Sequence, residues 1–200
     1  MGHSTRSADE LVAALAAWQV TCLVDIRHFT RSRANPQFNA DAIAPRLARD
    51  GITYVWLADL GGRRGRCPDC DPARNAGWTH PAFKNYADYA ETAAFRAAFD
   101  RLVELAGAQT CAIMCAEAVW WRCHRRIVAD YALTRGLRVF HIFTEAKAER
   151  ATRTPFAKLD RKTRTLRYPA VTAPRAPRSR SRRAPARTAG ARRARRRSAA

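Results

Sequence analysis

The chain has 200 residues, with 37 Lys and Arg against 17 Asp and Glu, a formal charge of +20. Residues 1–145 hold 18 basic and 15 acidic side chains and residues 146–200 hold 19 and 2, so a near-neutral body of one-domain size carries a polycationic segment. No stretch reaches the roughly 18 apolar residues of a membrane span, Leu11 to Trp18 follows Asp9 and Glu10 rather than a basic leader, and six cysteines are too few for a disulfide scaffold, which excludes membrane and secreted classes and predicts a reducing cytoplasm.

In chain order, Asp9 to Trp18 reads as a short helix whose acidic start suits the helix dipole. Thr21 to Ile26 is an apolar run of the kind a strand covered on both faces shows, and it ends in Asp25-Ile-Arg27-His28. Arg31 to Asn39 reads as a loop, because Asn35-Pro36 disfavours helix. Asn39 or Asp41 can cap the next helix, Ile43 and Leu47 share a face, and Gly51 can end it. Thr53 to Leu57 is rich in strand formers.

A long loop then runs from Asp59 to Pro81, beyond the roughly 12–15 residues at which unstructured connections become uncommon, and loops of that size usually carry function or are disordered. Phe83 to Leu105 is helical, with a break expected near Thr92. Thr110 to Cys115 reads as a strand, Trp121 to Arg135 as a helix ended by Gly136, and Leu137 to Phe143 as a last strand. This alternation predicts an α/β three-layer domain over residues 1–145, with a mostly parallel sheet of four or slightly more strands and helices on both faces. Ligands bind such sheets beyond the carboxyl ends of the strands, so Asp25 to His28 and Cys115 to Glu117 should meet there if their strands are neighbours.

The densest group of reactive side chains is Met114 to Arg125. Cys115, Glu117, Cys123 and His124 are the candidate catalytic residues: a thiol at a strand end before a helix, a carboxylate in an otherwise apolar loop, and an imidazole in the first turn of the helix. The ordinary alternatives are a small apolar strand residue for Cys115, a helix cap for Glu117 and a packed core histidine for His124. Asp25, interrupting an apolar strand, needs a partner in Arg27, Arg125 or backbone amides. Arg27, Arg31, Arg33, Arg63, Arg64 and Arg125 can surround an anion, with Arg27, Arg125 and Asp25 chosen as the ligand-binding set.

No metal is expected. Cys67-x-x-Cys70 is half of a zinc site without its second half, His80 is single, and a helical wheel turns Cys123 and His124 about 100° apart. No glycine-rich phosphate cradle of the kind used in dinucleotide and nucleoside-triphosphate chemistry occurs, and the residues leave any cofactor open.

The motifs Val24-Asp-Ile-Arg-His-Phe-x-Arg-Ser-Arg33, Asn35-Pro-x-Phe-Asn39, Leu60-Gly-Gly-Arg-Arg64, Asn75-Ala-Gly-Trp78, Tyr86-Ala-Asp-Tyr89, Met114-Cys-Ala-Glu117 and Cys123-His-Arg125 together resemble the DUF488 family of bacterial and archaeal proteins, from about Cys22 to Ile142. The resemblance implies the α/β fold and the importance of the Cys-Ala-Glu and Cys-His-Arg motifs, but supplies no reaction. A more distant similarity is to rhodanese-like sulfurtransferases, from which the loop after Cys115 departs: it has a carboxylate and two indoles where those proteins curl small residues into an anion nest.

Residues 173–200 are almost exclusively Arg, Ala, Pro and Ser, too poor in apolar surface to order themselves, and a disordered basic tail is expected from about residue 170. Arg178, Arg180, Arg182, Arg183, Arg192, Arg193, Arg195, Arg196 and Arg197 suit non-specific contact with DNA or RNA phosphates. Three functions follow as expectations: an enzyme acting on a phosphate-bearing ligand at the Cys-Ala-Glu and Cys-His-Arg motifs, a non-catalytic nucleic-acid adaptor working through its tail, and sulfur transfer at Cys115.

Overall fold

The computed structural model describes residues 1–171. Helix α1, Ala8–Ala17, opens on a capping box in which the Ser7 hydroxyl accepts from the Glu10 amide and the Glu10 carboxylate from the Ser7 amide. Strand β1, Cys22–Asp25, is buried at every residue. Helix α2 is Ala40–Ala48 and strand β2 Thr53–Trp56. The expected break at Thr92 is real: its hydroxyl caps α4, Ala93–Ala108, and separates it from α3, Pro81–Tyr89. Strand β3, Cys111–Met114, and helix α5, Arg125–Thr134, follow.

The main sheet has the order β2-β1-β3, all parallel, with Asp25 level with Trp56 on one side and Met114 on the other. Side chains alternate across it. Cys22 and Val24 join Tyr86, Phe95, Phe99, Ile127 and Tyr131 from α3, α4 and α5 on one face, while Leu23 joins Leu11, Leu15, Ile43 and Leu47 from α1 and α2 on the other. Each fully buried side chain of this size contributes about 1.5–3 kcal/mol of transfer free energy. The three-layer arrangement is as the alternation of elements implied.

Among the described residues the expected fourth parallel strand does not join this sheet. Strand β4, Phe140–Ile142, pairs antiparallel with β5, Ala148–Arg150, as a separate ladder. The free edge of β3 is instead lined at its end by the start of the chain: Gly2 bridges Cys115 in parallel, and the His3 and Ser4 amides donate to the Cys115 and Ala116 carbonyls. A strand-like run of apolar residues specifies pairing but not its partner.

Residues 146–168, grouped with the basic tail by charge, pack against the body. Strands β6, Lys158–Asp160, and β7, Thr165–Arg167, form a hairpin that delivers the buried Leu166 and Tyr168 to the α5 side of the core. The Tyr168 hydroxyl donates to Asp130 at 3.0 Å, and its amide donates to the Asn75 side chain at 2.9 Å. Asn75 in turn donates to Asp88 and Glu91 on and just beyond α3, and Trp78 stacks on Phe83. A side chain at Gly77 would place its Cβ 2.5 Å from the Pro169 carbonyl oxygen. The Asn75-Ala-Gly-Trp78 motif thus fastens the long loop between α3 and the C-terminal hairpin. The expected nucleic-acid residues Arg178 to Arg197 lie outside the described residues.

Candidate active site

Because β1 has β2 on one side and β3 on the other, the chain leaves the carboxyl ends of β1 and β3 in opposite directions and opens a crevice between them. A cleft of about 740 Å³ lies there. It takes Arg27 to Phe29 from beyond β1, Gly62, Arg63 and His80 from the long loop, Tyr86 from α3, and Cys115 to Glu117 and Trp121 to His124 from the segment between β3 and α5. The two polar strand ends singled out in the sequence do meet.

Cys115, Glu117, Cys123 and His124 all line the cleft. Cys115 and Cys123 form its floor, both buried, with their sulfurs 3.9 and 3.7 Å from the His124 Nδ1. The helix containing Trp121 is shorter than expected. Trp120–Arg122 is a single 3-10 turn, Cys123 is extended at φ −126° and ψ 148°, and His124 is the N-cap of α5. A helical wheel does not apply to Cys123, so the expected 100° separation fails and both groups point to one spot.

The His124 ring is fixed from behind. Its Nε2 lies 3.2 Å from the Ile26 carbonyl oxygen, an acceptor only, so Nε2 carries the proton and Nδ1 presents its lone pair to the thiols. Tyr86, tied by its hydroxyl to the Leu60 carbonyl at 2.6 Å, packs on the imidazole with ring centroids 4.9 Å apart. Gly62 covers the ring at Nδ1, where a Cβ would lie 2.8 Å from that atom.

The two thiols share a proton unequally. The Cys123 thiol is lowered, first by the hydrogen bond it accepts from Cys115 and then by the positive charge of Arg125. The Cys115 thiol is raised by donating that bond and by burial. Arg125 Nε donates to the Cys123 sulfur at 3.2 Å.

Among the residues expected to hold an anion, Asp25 and Arg125 lie behind the cleft wall. Asp25 is fully buried, accepts from Arg27 Nε at 2.9 Å and from the Tyr54 hydroxyl at 2.7 Å, and holds Arg27 against the Phe38 carbonyl. The Arg125 guanidinium is taken by Cys123 and by the Glu117 and Ala118 carbonyls. Both arginines picked as anion binders are occupied by internal partners, and only Arg27 reaches the cleft. Arg64 turns away to the Gly61 and Ala58 carbonyls.

The exposed cations at the cleft are Arg31, Arg63 and Arg122, of which Arg31 meets Asp41 in a solvent-exposed pair. Glu117 is exposed on the cleft wall and caps no helix. His3, His28, Phe29, Tyr86, Trp121 and Arg122 were not singled out as site residues. His28 and Phe29 directly continue the polar end of β1, a signal that was available; the placement of His3 beside Cys115 depends on a pairing 112 residues away in sequence and was not. Cys67 and Cys70 form a disulfide and are not part of the cleft lining.

The family described as a domain of unknown function, DUF488, matches residues 7–132. The chain belongs to the DUF488 family. No curated protein and no solved structure matches it. The match covers every segment that builds the DUF488 cleft except His3, and it stops before β4 to β7.

Proposed function

We propose that this DUF488 protein is an enzyme that takes a phosphate-bearing ligand, a nucleotide or a nucleic-acid strand end, into the cleft and transforms it against the Cys115, Cys123 and His124 floor. The observation that carries this reading is the chemistry of the wall. Arg63 and Arg122 are exposed there with no ion pair among the described residues, and Phe29 and Trp121 expose 63% and 47% of their surface beside them. Guanidiniums that can meet phosphate oxygens next to exposed aromatic rings make the combination that binds unpaired bases.

Two further details support it. The His28 Nδ1 is buried in the cleft wall without a partner, an atom that a ligand group can satisfy. Arg63 holds a left-handed backbone at φ 59°, strain of the kind that persists where a side chain must be aimed. Glu117, with its carboxylate free at the cleft wall, is the group placed to take or return a proton. The arginine run of the sequence beyond residue 171 favours the same ligand class, because phosphate contact with release of counterions is what such a run offers.

The test is titration of the full chain with nucleoside monophosphates and short oligonucleotides, followed by tryptophan fluorescence. Quenching is expected, with affinity weakened about 5- to 150-fold by Trp121→Ala, which corresponds to about 1–3 kcal/mol per stacked base. Arg63→Ala and Arg122→Ala should weaken binding and flatten its salt dependence. Binding unaltered by all three substitutions, or no binding of any nucleotide, overturns the reading. For the chemical step, Glu117→Gln should lower turnover of a bound ligand while leaving its affinity within about threefold, a difference of under 1 kcal/mol.

A further inference from the structure

We infer that Cys115, Cys123 and His124 form a binding site for a divalent transition-metal cation of the zinc class, with two sulfur donors and one nitrogen donor. The site holds whether or not the cleft turns over a phosphate ligand, since its argument rests only on the donor atoms and what surrounds them.

The three donor atoms all lie within 4.8 Å of one another, with sulfur-to-nitrogen separations of 3.7 and 3.9 Å. A tetrahedral zinc with bonds of about 2.3 Å to sulfur and about 2.0–2.1 Å to nitrogen requires edges of about 3.5 Å between sulfur and nitrogen. The two sulfur-to-nitrogen edges are within a few tenths of an ångström of that, so a small contraction toward a cation brings them to it.

The surroundings are those of a ligand set. A metal-binding imidazole holds its other ring nitrogen on a carbonyl or carboxylate, and His124 Nε2 on the Ile26 carbonyl does this while leaving Nδ1 unprotonated. A metal-bound thiolate takes second hydrogen bonds, and Arg125 Nε supplies one to Cys123. Arg125 is itself fixed by the Glu117 and Ala118 carbonyls, so the loop between the two cysteines is tied to the donor geometry. The absence of a side chain at Gly62 leaves space beside Nδ1 that a Cβ would fill.

All three donors line the cleft, so their open side faces it. Three protein donors with a vacant fourth position facing a ligand cavity is the composition of catalytic rather than closed structural zinc sites, in which the cation acts on a water or a substrate oxygen. Soft sulfur and borderline imidazole donors favour zinc, cobalt or iron over magnesium or calcium.

The experiment uses the full chain, purified under reductant, stripped with a chelator and titrated anaerobically with cobalt(II). One cobalt per chain is expected, with the intense visible bands of a tetrahedral centre and a sulfur-to-cobalt charge-transfer absorption, both discharged by one equivalent of zinc. Cys123→Ser and His124→Ala should abolish this spectrum, and Gly62→Ala, which replaces no donor but sets its Cβ against the His124 Nδ1, should weaken binding about tenfold or more through the displaced imidazole. The paired Cys67→Ser and Cys70→Ser substitutions should leave it unchanged.

X-ray absorption of the zinc-loaded, unsubstituted chain guards against variants that fail to fold. Two sulfur and one imidazole scatterers support the site. A sulfur-free shell, a four-sulfur shell, or a cobalt spectrum that survives Cys123→Ser and disappears with Cys67→Ser and Cys70→Ser overturns it.

Discussion

At the scale of single residues, the cleft depends on groups that never touch it. Asp25 has no exposed surface and its carboxylate holds Arg27 in place, with the Tyr54 hydroxyl donating to the oxygen that also meets Arg27 Nη2. Breaking a buried ion pair by removing one charge costs about 3–5 kcal/mol, because the other charge is left uncompensated. Asp25→Asn is therefore expected to destabilise the chain by that amount in urea unfolding, and Tyr54→Phe by about 1 kcal/mol, the worth of one hydrogen bond. If Asp25→Asn proves neutral in stability yet abolishes ligand binding, the carboxylate belongs to the ligand site and not to its support. The Asp25–Arg27 pairing was legible in the sequence because a lone carboxylate in an apolar strand must find a cation nearby. That Arg27 and Arg125 are both occupied was not legible, since their partners include the Phe38, Glu117 and Ala118 carbonyls, and backbone acceptors leave no mark in a residue pattern.

At the scale of elements, the apolar periods of α1 to α5 and the runs of β1 to β3 were enough to place the layers, and Thr92 announced the break between α3 and α4. What the period could not convey is which strand pairs with which. The run ending at Phe143 has the composition of a sheet strand and forms a two-stranded ladder with β5 instead. Charge misdirected the reading of residues 146–168, where exposed basic side chains on β5 to β7 surround a few fully buried ones. Those few matter most to the long loop. Tyr168 meets Trp78 and Phe156 and hydrogen-bonds Asp130 and Asn75 through hydroxyl and amide, so Tyr168→Ala should cost about 3–5 kcal/mol, the usual range for a buried aromatic. Circular dichroism melts of Tyr168→Ala and of a chain ending at Glu145 should both show the loss; a shortened chain that melts as the full one does would mean that the hairpin adds nothing to the core. The floor of the cleft was half legible. Cys115, Cys123 and His124 were found as residues, but their convergence follows from the extended backbone at Cys123, which a helical reading of Trp121 to Arg135 conceals.

At the scale of the whole molecule, acid should weaken the fold in a defined window. His141 is stacked on Trp120 and its pKa is lowered to about 4 by burial, with the positive charge of Arg125 adding to the effect. Against an unfolded value near 6.5, the unfolded chain binds more protons than the folded one between the two, so the contribution is complete above about pH 6.5 and is lost as pH falls toward 4. His3, beside the end of β3, shifts in the same direction through burial. Urea midpoints at pH 7 and pH 5 should show the loss, and His141→Phe, which keeps the stack, should reduce the difference. A midpoint independent of pH would mean that His141 is solvated. The strand order carries one more consequence. The middle strand, β1, is separated from its neighbour β2 by residues 26–52 and from its neighbour β3 by residues 26–110, and parallel pairs closed over such long separations form slowly. A partly folded chain has its thiols and guanidiniums but nowhere for them to converge. Occupancy of the cleft is therefore a report on completed folding: a ligand of this site selects finished molecules from a refolding mixture, and a nascent chain is blind to it until β3 has docked.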